Sequence, residues 1–507
     1  MKRNWKDWDQ LDAYDVKKAQ YRQLRQYLRD HVVPFSAHYR KLFAEHGIEP
    51  EDIRTAADFA NVPFTSKRDL IAPEGEEPKT RDFVLIPDEE ILKKRWSTIR
   101  NVILRGKKAV KRRFEHEYRP IMMTSTTGRS SEPVPFLYSK YDIENLELSG
   151  RRLMEVCDSN AEFRHMNLFP YAPHLAFWQM HYAGIGFDTF TISTGGGKVM
   201  GTDGNVRILG KIKPDALIGM PTFIYHVLQV AAEQGVDAPN IKKIVLGGEK
   251  VPEGMKRKLR ALCAELGSGS VDVMATYGFT EAKMAFPECP VESGVDSPGY
   301  HLFPDLGLFE VIDPDTGIPV NEGEPGEIVW TPLDSRGSVV VRYRTGDHIS
   351  DGLVHEPCPH CGRTLPRLVG RISRVSDVRR LSIDKIKGTL VNFNDLEHIL
   401  DDLEGIGTWQ IEIRKRNDDP LDCDEIVVHV SPSRRGQREK LEKAIETKFV
   451  AATEISPNRV EFHNAETLRE KHGVGTALKE EKVIDNRPKS NGDSVSNPTN
   501  LTNPTTS

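Results

Sequence analysis

Apolar residues at helical spacing mark the beginning of the chain. Leu11, Tyr21, Leu24 and Leu28 belong to a series that recurs every three, four or seven residues with charges between. This pattern predicts helices over residues 11–46, interrupted at Pro34. From about residue 115 to 350, short β-rich runs alternate with helical patterns, which predicts an α/β fold.

A second pattern begins near Gly370 and Arg371. Residues 411–416 and 425–430 alternate like half-buried strands, and amphipathic helices are predicted from Asp395 and over 435–449. We therefore predict an N-terminal domain over 1–370 and a small, mobile α+β C-terminal domain over 371–488. In 489–507, 14 of 19 residues are Ser, Thr, Asn or Pro, so we expect a disordered tail.

Composition narrows the class of protein. The 507 residues are 38% hydrophobic and 29% charged, and 70 basic against 75 acidic residues leave a net charge of −5. This near balance excludes a polycationic nucleic-acid coat. We find no secretory signal, no membrane span and only six cysteines, so we expect a cytoplasmic protein.

One segment departs from the average charge. Residues 93–113 hold ten Lys or Arg and no acid, within a predicted insert at about 88–118. A solvated basic helix is the plain interpretation. A docking face for an acidic carrier protein, for CoA phosphates or for anionic lipid stays open.

Two segments carry groups suited to a nucleotide's phosphates. Residues 123–133 (MTSTTGRSSEP) are rich in hydroxyls and small residues, whose donors, with Arg129, can bind an anion. In 275–281 (ATYGFTE), Thr280 can bind a phosphate and Glu281 can hold Mg²⁺. Each also fits an ordinary turn or capped strand end.

Three further positions suit a nucleoside. Tyr277 can stack on a base. Asp347, after a tight glycine turn, is placed to accept both hydroxyls of a ribose. Gly247-Gly248, before Glu249, permits close approach to a flat ring.

In their order and spacing these motifs resemble the adenylate-forming superfamily of acyl-CoA ligases, most closely its phenylacetate–CoA ligase branch. Residues 43–52 and 61–70 (NVPFTSKRDL) are similar to early segments of that branch, and the match runs from about residue 15 to Arg487. The resemblance implies a large N-terminal adenylate-forming domain and a mobile C-terminal domain. It also implies ATP, Mg²⁺ and CoA as cofactor and substrates.

The resemblance implies roles for particular residues. Lys479 would bridge the carboxylate and the α-phosphate, with Lys482 as its competitor, and Thr280 and Glu281 would meet the phosphate and Mg²⁺. Arg371, at the hinge step, would also approach the nucleotide. The implied nucleotide-binding set is Thr124, Ser125, Thr126, Thr127, Gly128, Arg129, Gly247, Gly248, Glu249, Tyr277, Gly278, Asp347 and Arg371.

Several positions depart from the family pattern. Ser125 and Arg129 replace a glycine and a lysine of the phosphate loop, and Ile372-Ser373 stands where the hinge acid is usual. Leu478 replaces the glycine before the catalytic lysine. Adenylation stays expected, whereas these changes weigh against the second half-reaction, which uses the hinge.

A metal site is predicted by Cys358-Pro-His-Cys361-Gly, a knuckle that places two thiolates on one Zn²⁺. Cys289 and His301 are the natural further ligands, as similar positions in related ligases suggest, with His355 and His360 as rivals. Four protein ligands would make the ion structural. The other cysteines, Cys157, Cys263 and Cys423, are expected to be buried apolar residues.

The acid pocket is predicted in the aromatic segment 169–178 (FPYAPHLAFW). Tyr171 or His174 would close over the carboxylate, and Phe177 and Thr222 would form walls. Packing of the helix into the core is the equal alternative. An apolar, aromatic pocket favours an aryl or fatty acid.

The sequence as a whole predicts an AMP-forming acid–thiol ligase. The carboxylic acid would be activated by ATP and then transferred to CoA. Transfer to a carrier-protein thiol or an amine is the first alternative. A zinc-stabilised, non-catalytic nucleic-acid-binding protein is the second, and the retained nucleotide motifs argue against it. A homodimer is left open.

Overall fold

A computed structural model describes residues 5–71, 79–126, 133–375, 385–386, 389–390, 393–415, 424–433, 438–453, 456–472 and 482–486. The chain divides into two compact units, Met1–Arg379 and Arg380–Ser507. The sequence placed this division at 370/371. The tail 489–507 lies outside the described residues.

The N-terminal helices pass through Pro34 rather than stopping there. Ala13–Tyr27 continues into a π-helical turn, Leu28–Val32, and the short helix Val33–Phe35. Pro34 has no N–H for the carbonyl of Asp30, four residues earlier, and Arg95 Nη2 donates to that oxygen at 2.7 Å. The predicted interruption at Pro34 is therefore wrong, and the break falls at Ser36.

The large unit is built around a six-stranded sheet. Its strands, and those of the smaller sheets around it, are β1 (Pro120–Ser125), β2 (Pro135–Ser139), β3 (His165–Asn167), β4 (Thr191–Ser193), β5 (Ala216–Gly219), β6 (Lys243–Leu246), β7 (Asp272–Phe279), β8 (Met284–Pro287), β9 (Tyr300–His301), β10 (Gly307–Ile312), β11 (Gly326–Pro332), β12 (Tyr343–Ile349), β13 (Leu353–Val354), β14 (Arg367–Leu368) and β15 (Ile372–Arg374).

The main sheet has the order β4-β3-β5-β6-β7-β8. All its neighbours pair in parallel except β7 and β8. Helices connect the parallel strands, and strands such as β5 and β6 are buried along their whole length. Continuous burial is the mark of a parallel sheet covered on both faces. The predicted α/β class is confirmed.

The remaining strands of the large unit form antiparallel sheets. β10, β11, β12 and β15 make one sheet, β13, β14 and β9 a second, and β1 and β2 a hairpin. The α-helices of this unit are Trp5–Trp8, Ala13–Tyr27, Val33–Phe35, Ala37–His46, Ala56–Phe59, Lys67–Leu70, Glu89–Lys94, Trp96–Arg105, Lys107–Tyr118, Lys140–Val156, Leu175–Gly186, Gly196–Ile212, Pro221–Glu233 and Glu253–Glu265.

The basic segment 93–113 is helical over most of its length. Trp96–Arg105 and Lys107–Tyr118 meet at Gly106, whose φ of +80° lets the chain turn between them. Trp96, Ile103 and Leu104 are exposed on the first of these helices. The segment thus presents apolar as well as basic side chains to solvent.

The small unit contains a second sheet with its own core. Its strands are β16 (Lys385–Ile386), β17 (Thr389–Leu390), β18 (Ile406–Lys415), β19 (Asp424–Pro432), β20 (Arg459–Phe462) and β21 (Val483–Asp485). Four of them form the sheet β20-β19-β18-β21, and the helices are Phe393–Asp402, Arg438–Thr453 and Ala465–His472. The predicted helices and strands of this region are confirmed.

Successive side chains along these strands point to opposite faces of the sheet, and the apolar ones on one face form this core. Trp409, Ile411 and Val428 point to one face and pack with Leu400 and Ile445 of the helices. Nowhere among the described residues is a helix both long enough and apolar enough to cross a bilayer.

Candidate active site

Several of the predicted site residues follow strands of the main sheet. The segments after β3, β5, β6 and β7 carry, in that order, residues 169–174, Thr222, 247–249 and 280–281. Parallel strands bring their carboxyl ends to one edge, and open α/β sheets bind ligands at that edge. The topology therefore gathers motifs that lie more than 100 residues apart in sequence.

The glycine pair after β6 is required by packing as well as by backbone conformation. A Cβ on Gly247 would lie 2.5 Å from Thr276 Oγ1, and Gly248 has a φ of +83°. Phe169 lies beside both glycines. A side chain at either position would clash or strain the turn, so the backbone stays open at this edge.

Glu249 is tied to the neighbouring strand end. Its Oε2 accepts a hydrogen bond of 2.8 Å from Thr222 Oγ1, which follows β5. Thr222 was predicted as a wall of the acid pocket and Glu249 as a flank of adenine. The structure brings the two predicted groups into direct contact.

Tyr277 and Asp347 come together from different sheets. The Tyr277 hydroxyl donates to Asp347 Oδ2 at 2.9 Å, and Arg374 Nη1 lies 3.1 Å from Oδ1 of the same carboxylate. Burial, reinforced by the carboxylate, raises the pKa of Tyr277 well above its usual value. The phenol therefore stays protonated and can donate.

Glu281 lies in a short 3₁₀ turn directly after β7. Its Oε1 accepts a hydrogen bond of 2.7 Å from the hydroxyl of Tyr343, at the start of β12. Burial raises the pKa of this carboxyl above its usual value. A carboxylate this poorly solvated favours a nearby cation, which is the chemistry expected of a Mg²⁺ ligand.

Two cations near these carboxylates were missed by the motif search. Burial lowers the pKa of the Lys67 ammonium overall, and the negative charge of Glu281 partly opposes this shift. A bridge between Thr65 and Tyr343 brings its segment beside β12. Arg374, on β15, faces Asp347. Lys67 lies in the family-like segment 61–70 but was assigned no role from the sequence, and Arg374 lies outside the motifs; pairing with β12 brings both segments near the site.

The phosphate-loop motif is described only in part. Thr124 is buried and donates to the Tyr138 hydroxyl at 3.1 Å, and the Val134 N–H donates to Thr126 Oγ1 at 3.0 Å. Ser125, in place of the family's glycine, continues β1. Thr127, Gly128 and Arg129 lie outside the described residues.

The predicted acid pocket divides into buried and exposed members. Phe177 is buried in a core cluster, which favours the packing alternative for this side chain. The Tyr171 ring is exposed and packs edge-on against Phe177. His174 Nδ1 lies 2.9 Å from the Ser125 carbonyl oxygen. The last contact joins the aromatic segment to the phosphate-loop strand.

The predicted catalytic lysine, its competitor and the hinge arginine lie in different parts of the chain. Lys479 lies outside the described residues. Its competitor Lys482 is engaged elsewhere, since its Nζ lies 3.1 Å from Asp401 Oδ1 and 4.7 Å from the centre of the Trp409 ring. Arg371 is exposed; its N–H donates to Ser350 Oγ at 2.8 Å, and its carbonyl oxygen accepts from the Ser350 N–H at 3.1 Å.

The four predicted metal ligands lie together. One donor atom from each of Cys289, His301, Cys358 and Cys361 falls within 4.8 Å of the others. The sulfurs of Cys289 and Cys358 are 3.8 Å apart, and Cys361 Sγ lies 3.6 Å from His301 Nε2. Hydrogen bonds from the thiols of Cys289 and Cys361 lower the pKa of Cys358 below its usual value.

The two rival histidines and the other three cysteines lie apart from the predicted metal ligands or outside the described residues. His355 Nδ1 lies 3.1 Å from Glu322 Oε1, and His360 is exposed. Neither belongs to the group of four. Cys157 and Cys263 are fully buried as expected, and Cys423 lies outside the described residues.

Comparison with known proteins adds sequence and structural relatives. The sequence model described as "AMP-binding enzyme" matches residues 175–332. The chain is 24% identical over 402 residues to the phenylacetate-coenzyme A ligase of Thermus thermophilus, covering 79% of this chain and 77% of that one. It is 22% identical over 382 residues to the phenylacetate-coenzyme A ligase of Escherichia coli, covering 75% of each.

The fold has solved counterparts. 2-Hydroxyisobutyryl-CoA ligase, in complex with 2-HIB-AMP in the postadenylation state, aligns with a TM-score of 0.73 and 20% identity. The alignment covers 94% of this chain and 91% of the ligase. At this identity the likeness establishes the fold.

Proposed function

We propose that this chain, which is similar to the phenylacetate-coenzyme A ligases reported above, is a member of the adenylate-forming superfamily and an AMP-forming acid–CoA ligase. It activates a carboxylic acid with ATP and transfers the acyl group to the thiol of CoA. The observation that carries this proposal is the meeting of Tyr277 with Asp347, and of Glu281 with Tyr343, beside the carboxyl edge of the main sheet.

The first half-reaction forms an acyl-adenylate. A carboxylate oxygen attacks the α-phosphorus, the bond to the β-phosphate bridging oxygen breaks, and pyrophosphate leaves. Thr280 and the 124–129 segment donate to the phosphates, and Asp347 accepts the ribose hydroxyls. Lys479 offsets the charge that builds on the α-phosphate. Glu281, whose burial favours a neighbouring cation, would hold Mg²⁺, which supplies positive charge to the phosphates.

The second half-reaction transfers the acyl group. The CoA sulfur attacks the acyl carbon, the carbon–oxygen bond to AMP breaks, and AMP leaves with the electron pair. CoA is the acceptor because the relatives reported above are CoA ligases by name. We place Arg371 at the hinge about which the C-terminal domain moves between the two half-reactions.

The acid is apolar, and the side chains of segment 169–178 favour an aromatic one. Tyr171 lies exposed over Phe177 and Trp178, and His174 reaches the strand of the phosphate loop. An imidazole and an aromatic surface on one segment suit an aryl carboxylate. We place His174 at the carboxylate and Tyr171 at the ring.

We further propose that Cys289, His301, Cys358 and Cys361 hold a structural Zn²⁺. A tetrahedral ion with Zn–S bonds of about 2.3 Å places its sulfurs about 3.8 Å apart. Cys289 and Cys358 have that separation. Zinc would staple the loop after β8 to the knuckle before β14. Thiolate ligands of this kind also suit a reducing cytoplasm.

The test is pyrophosphate release from MgATP across a panel of aryl and fatty acids, with and without CoA. Wild type should release pyrophosphate only with an acid, and CoA should raise turnover. Lys479→Ala and Glu281→Gln should each lower release by about 100-fold or more, since both remove charge stabilisation.

Lys482→Ala is the matched lysine control and should retain release. Acid-dependent release that CoA does not accelerate would keep adenylation and point to a carrier thiol or an amine as acceptor. No release with any acid, together with no ATP binding, would contradict the proposal. Salt-sensitive RNA binding would then support the nucleic-acid alternative.

A further inference from the structure

A second group of metal-ligating side chains lies in the small unit. His429 is on β19, Glu461 is on β20, and His463 follows β20 by one residue. β19 and β20 pair in parallel with His429 opposite Glu461. Cross-strand pairing therefore holds a buried histidine against a carboxylate and a second histidine.

The donor atoms of this histidine cluster converge on one point. His429 Nδ1 lies 2.9 Å from His463 Nε2 and 3.4 Å from Glu461 Oε2, and the last two atoms are 3.7 Å apart. A tetrahedral ion with bonds of about 2.1 Å separates its ligand atoms by about 3.4 Å. The three distances bracket this value.

The outer contacts select the tautomer that a metal needs. His429 Nε2 lies 3.0 Å from Glu412 Oε2 on β18, and Asn486 Nδ2 donates to Glu412 Oε1 at 2.8 Å. A proton on Nε2 leaves the Nδ1 lone pair facing Glu461 and His463. Metal-binding histidines commonly donate their second ring nitrogen to a carboxylate in this way.

Charge balance favours a cation at the point of convergence. With neutral imidazoles, Glu412 and Glu461 bring two negative charges to a site whose histidine, His429, is 3% exposed. Arg414 also contributes to the field at Glu412, but its own guanidinium lies 3.6 Å from Glu425. A divalent ion bound by His429, Glu461 and His463 would offset these two negative charges.

We propose that His429, Glu461 and His463 bind a divalent transition-metal ion, with Zn²⁺ as the first candidate and water as the fourth ligand. Two imidazoles and a carboxylate suit zinc, and the position left to water distinguishes this site from a closed structural one. The ion would join β19 to the residue that follows β20. This inference does not depend on the proposed ligase activity.

The test counts zinc ions on the full-length protein after equilibration with excess Zn²⁺ and gel filtration. Wild type should carry one ion more than His463→Gln and one more than Glu461→Gln. His46→Gln, which changes an exposed histidine of the large unit, is the matched control and should carry the wild-type number.

Cobalt substitution separates this site from the cysteine cluster. Thiolate ligands produce a sulfur-to-cobalt absorption band that His463→Gln should leave unchanged, while the bound cobalt falls by one ion per chain. Circular dichroism checks that both variants fold. Equal metal content in wild type, His463→Gln and Glu461→Gln would overturn the proposal, because the cluster would then be a hydrogen-bond network that binds protons only.

Discussion

The cysteine cluster of the large unit can be recognised from a sequence motif, whereas the histidine cluster of the small unit is found only in the folded structure. Cys358 and Cys361 are three residues apart, and a knuckle of this kind is a recognisable motif. His429 lies 34 residues from His463, and nothing about their spacing points to a metal. Each cluster nevertheless places its donor atoms at separations that fit one ion.

The two clusters differ in how many of their ligands are placed by local sequence and how many by tertiary structure. A knuckle presents two ligands by local geometry, and distant residues complete it. The histidine cluster has only one local pair, Glu461-x-His463, and the partner on β19 depends on strand register. A shift of one residue in that register would turn His429 to the opposite face.

Loss of the cysteine cluster should have the largest effect. Cys358→Ser removes one of the proposed zinc ligands, which would close the loops around β9 and β14, so we expect the large unit to lose more than about 4 kcal/mol of stability. Thermal unfolding together with zinc content measures this. Cys263→Ala, a buried cysteine outside both clusters, should lose less stability and keep its zinc; equal losses would contradict a structural ion.

A buried histidine outside both clusters should produce the next largest effect. Burial lowers the pKa of His165, on β3, from 6.5 to about 4. A depressed base contributes stability above its unfolded pKa and loses it as the pH falls from 6.5 towards 4. The loss should reach about 3 kcal/mol.

Urea unfolding at pH 7, 5.5 and 4 tests the His165 effect. In His165→Gln, the free energy of unfolding should fall less steeply between pH 6.5 and 4 than in wild type. Because no cluster contains His165, the slope should persist after metal removal. A slope that disappears with the metal would assign acid sensitivity to the clusters instead.

Removal of His463 should have a smaller effect on stability. With Zn²⁺ at about 100 times its Kd, binding stabilises the folded state by about 2.7 kcal/mol, and His463→Gln should lose that increment. Unfolding of the full-length protein at several zinc concentrations gives the measurement. Wild type should become more stable as zinc rises, and a variant that responds equally would show that the ion binds elsewhere.

Glu412 should have the smallest effect, because it contacts a ligand rather than the ion. Glu412→Gln should weaken zinc binding by about 10-fold, or about 1.4 kcal/mol, with the number of ions unchanged at saturation. Titration against a competing chelator measures the affinity. Loss of the ion altogether would make Glu412 a ligand and change the proposed coordination.

Much of the active site follows from short motifs, but the contacts between motifs do not. Residues 275–281 and 343–347 were recognised separately from the types of side chain they carry. That Tyr277 donates to Asp347, and Tyr343 to Glu281, depends on how β7 and β12 meet. Neither Lys67, in the family-like segment 61–70, nor Arg374 was assigned a role from the sequence, because pairing with β12 brings their segments near the site.

Local pattern was sufficient for the α/β class, the small second unit, the knuckle and the resemblance to acyl-CoA ligases, because periodicity and short motifs act over a few residues. It failed at Pro34, where a side chain from 61 residues away replaces the missing hydrogen bond. The folded chain alone decided which carboxylates meet which phenols and where the histidine cluster lies. Those contacts depend on register and packing between distant segments, which the order of residues along the chain does not display.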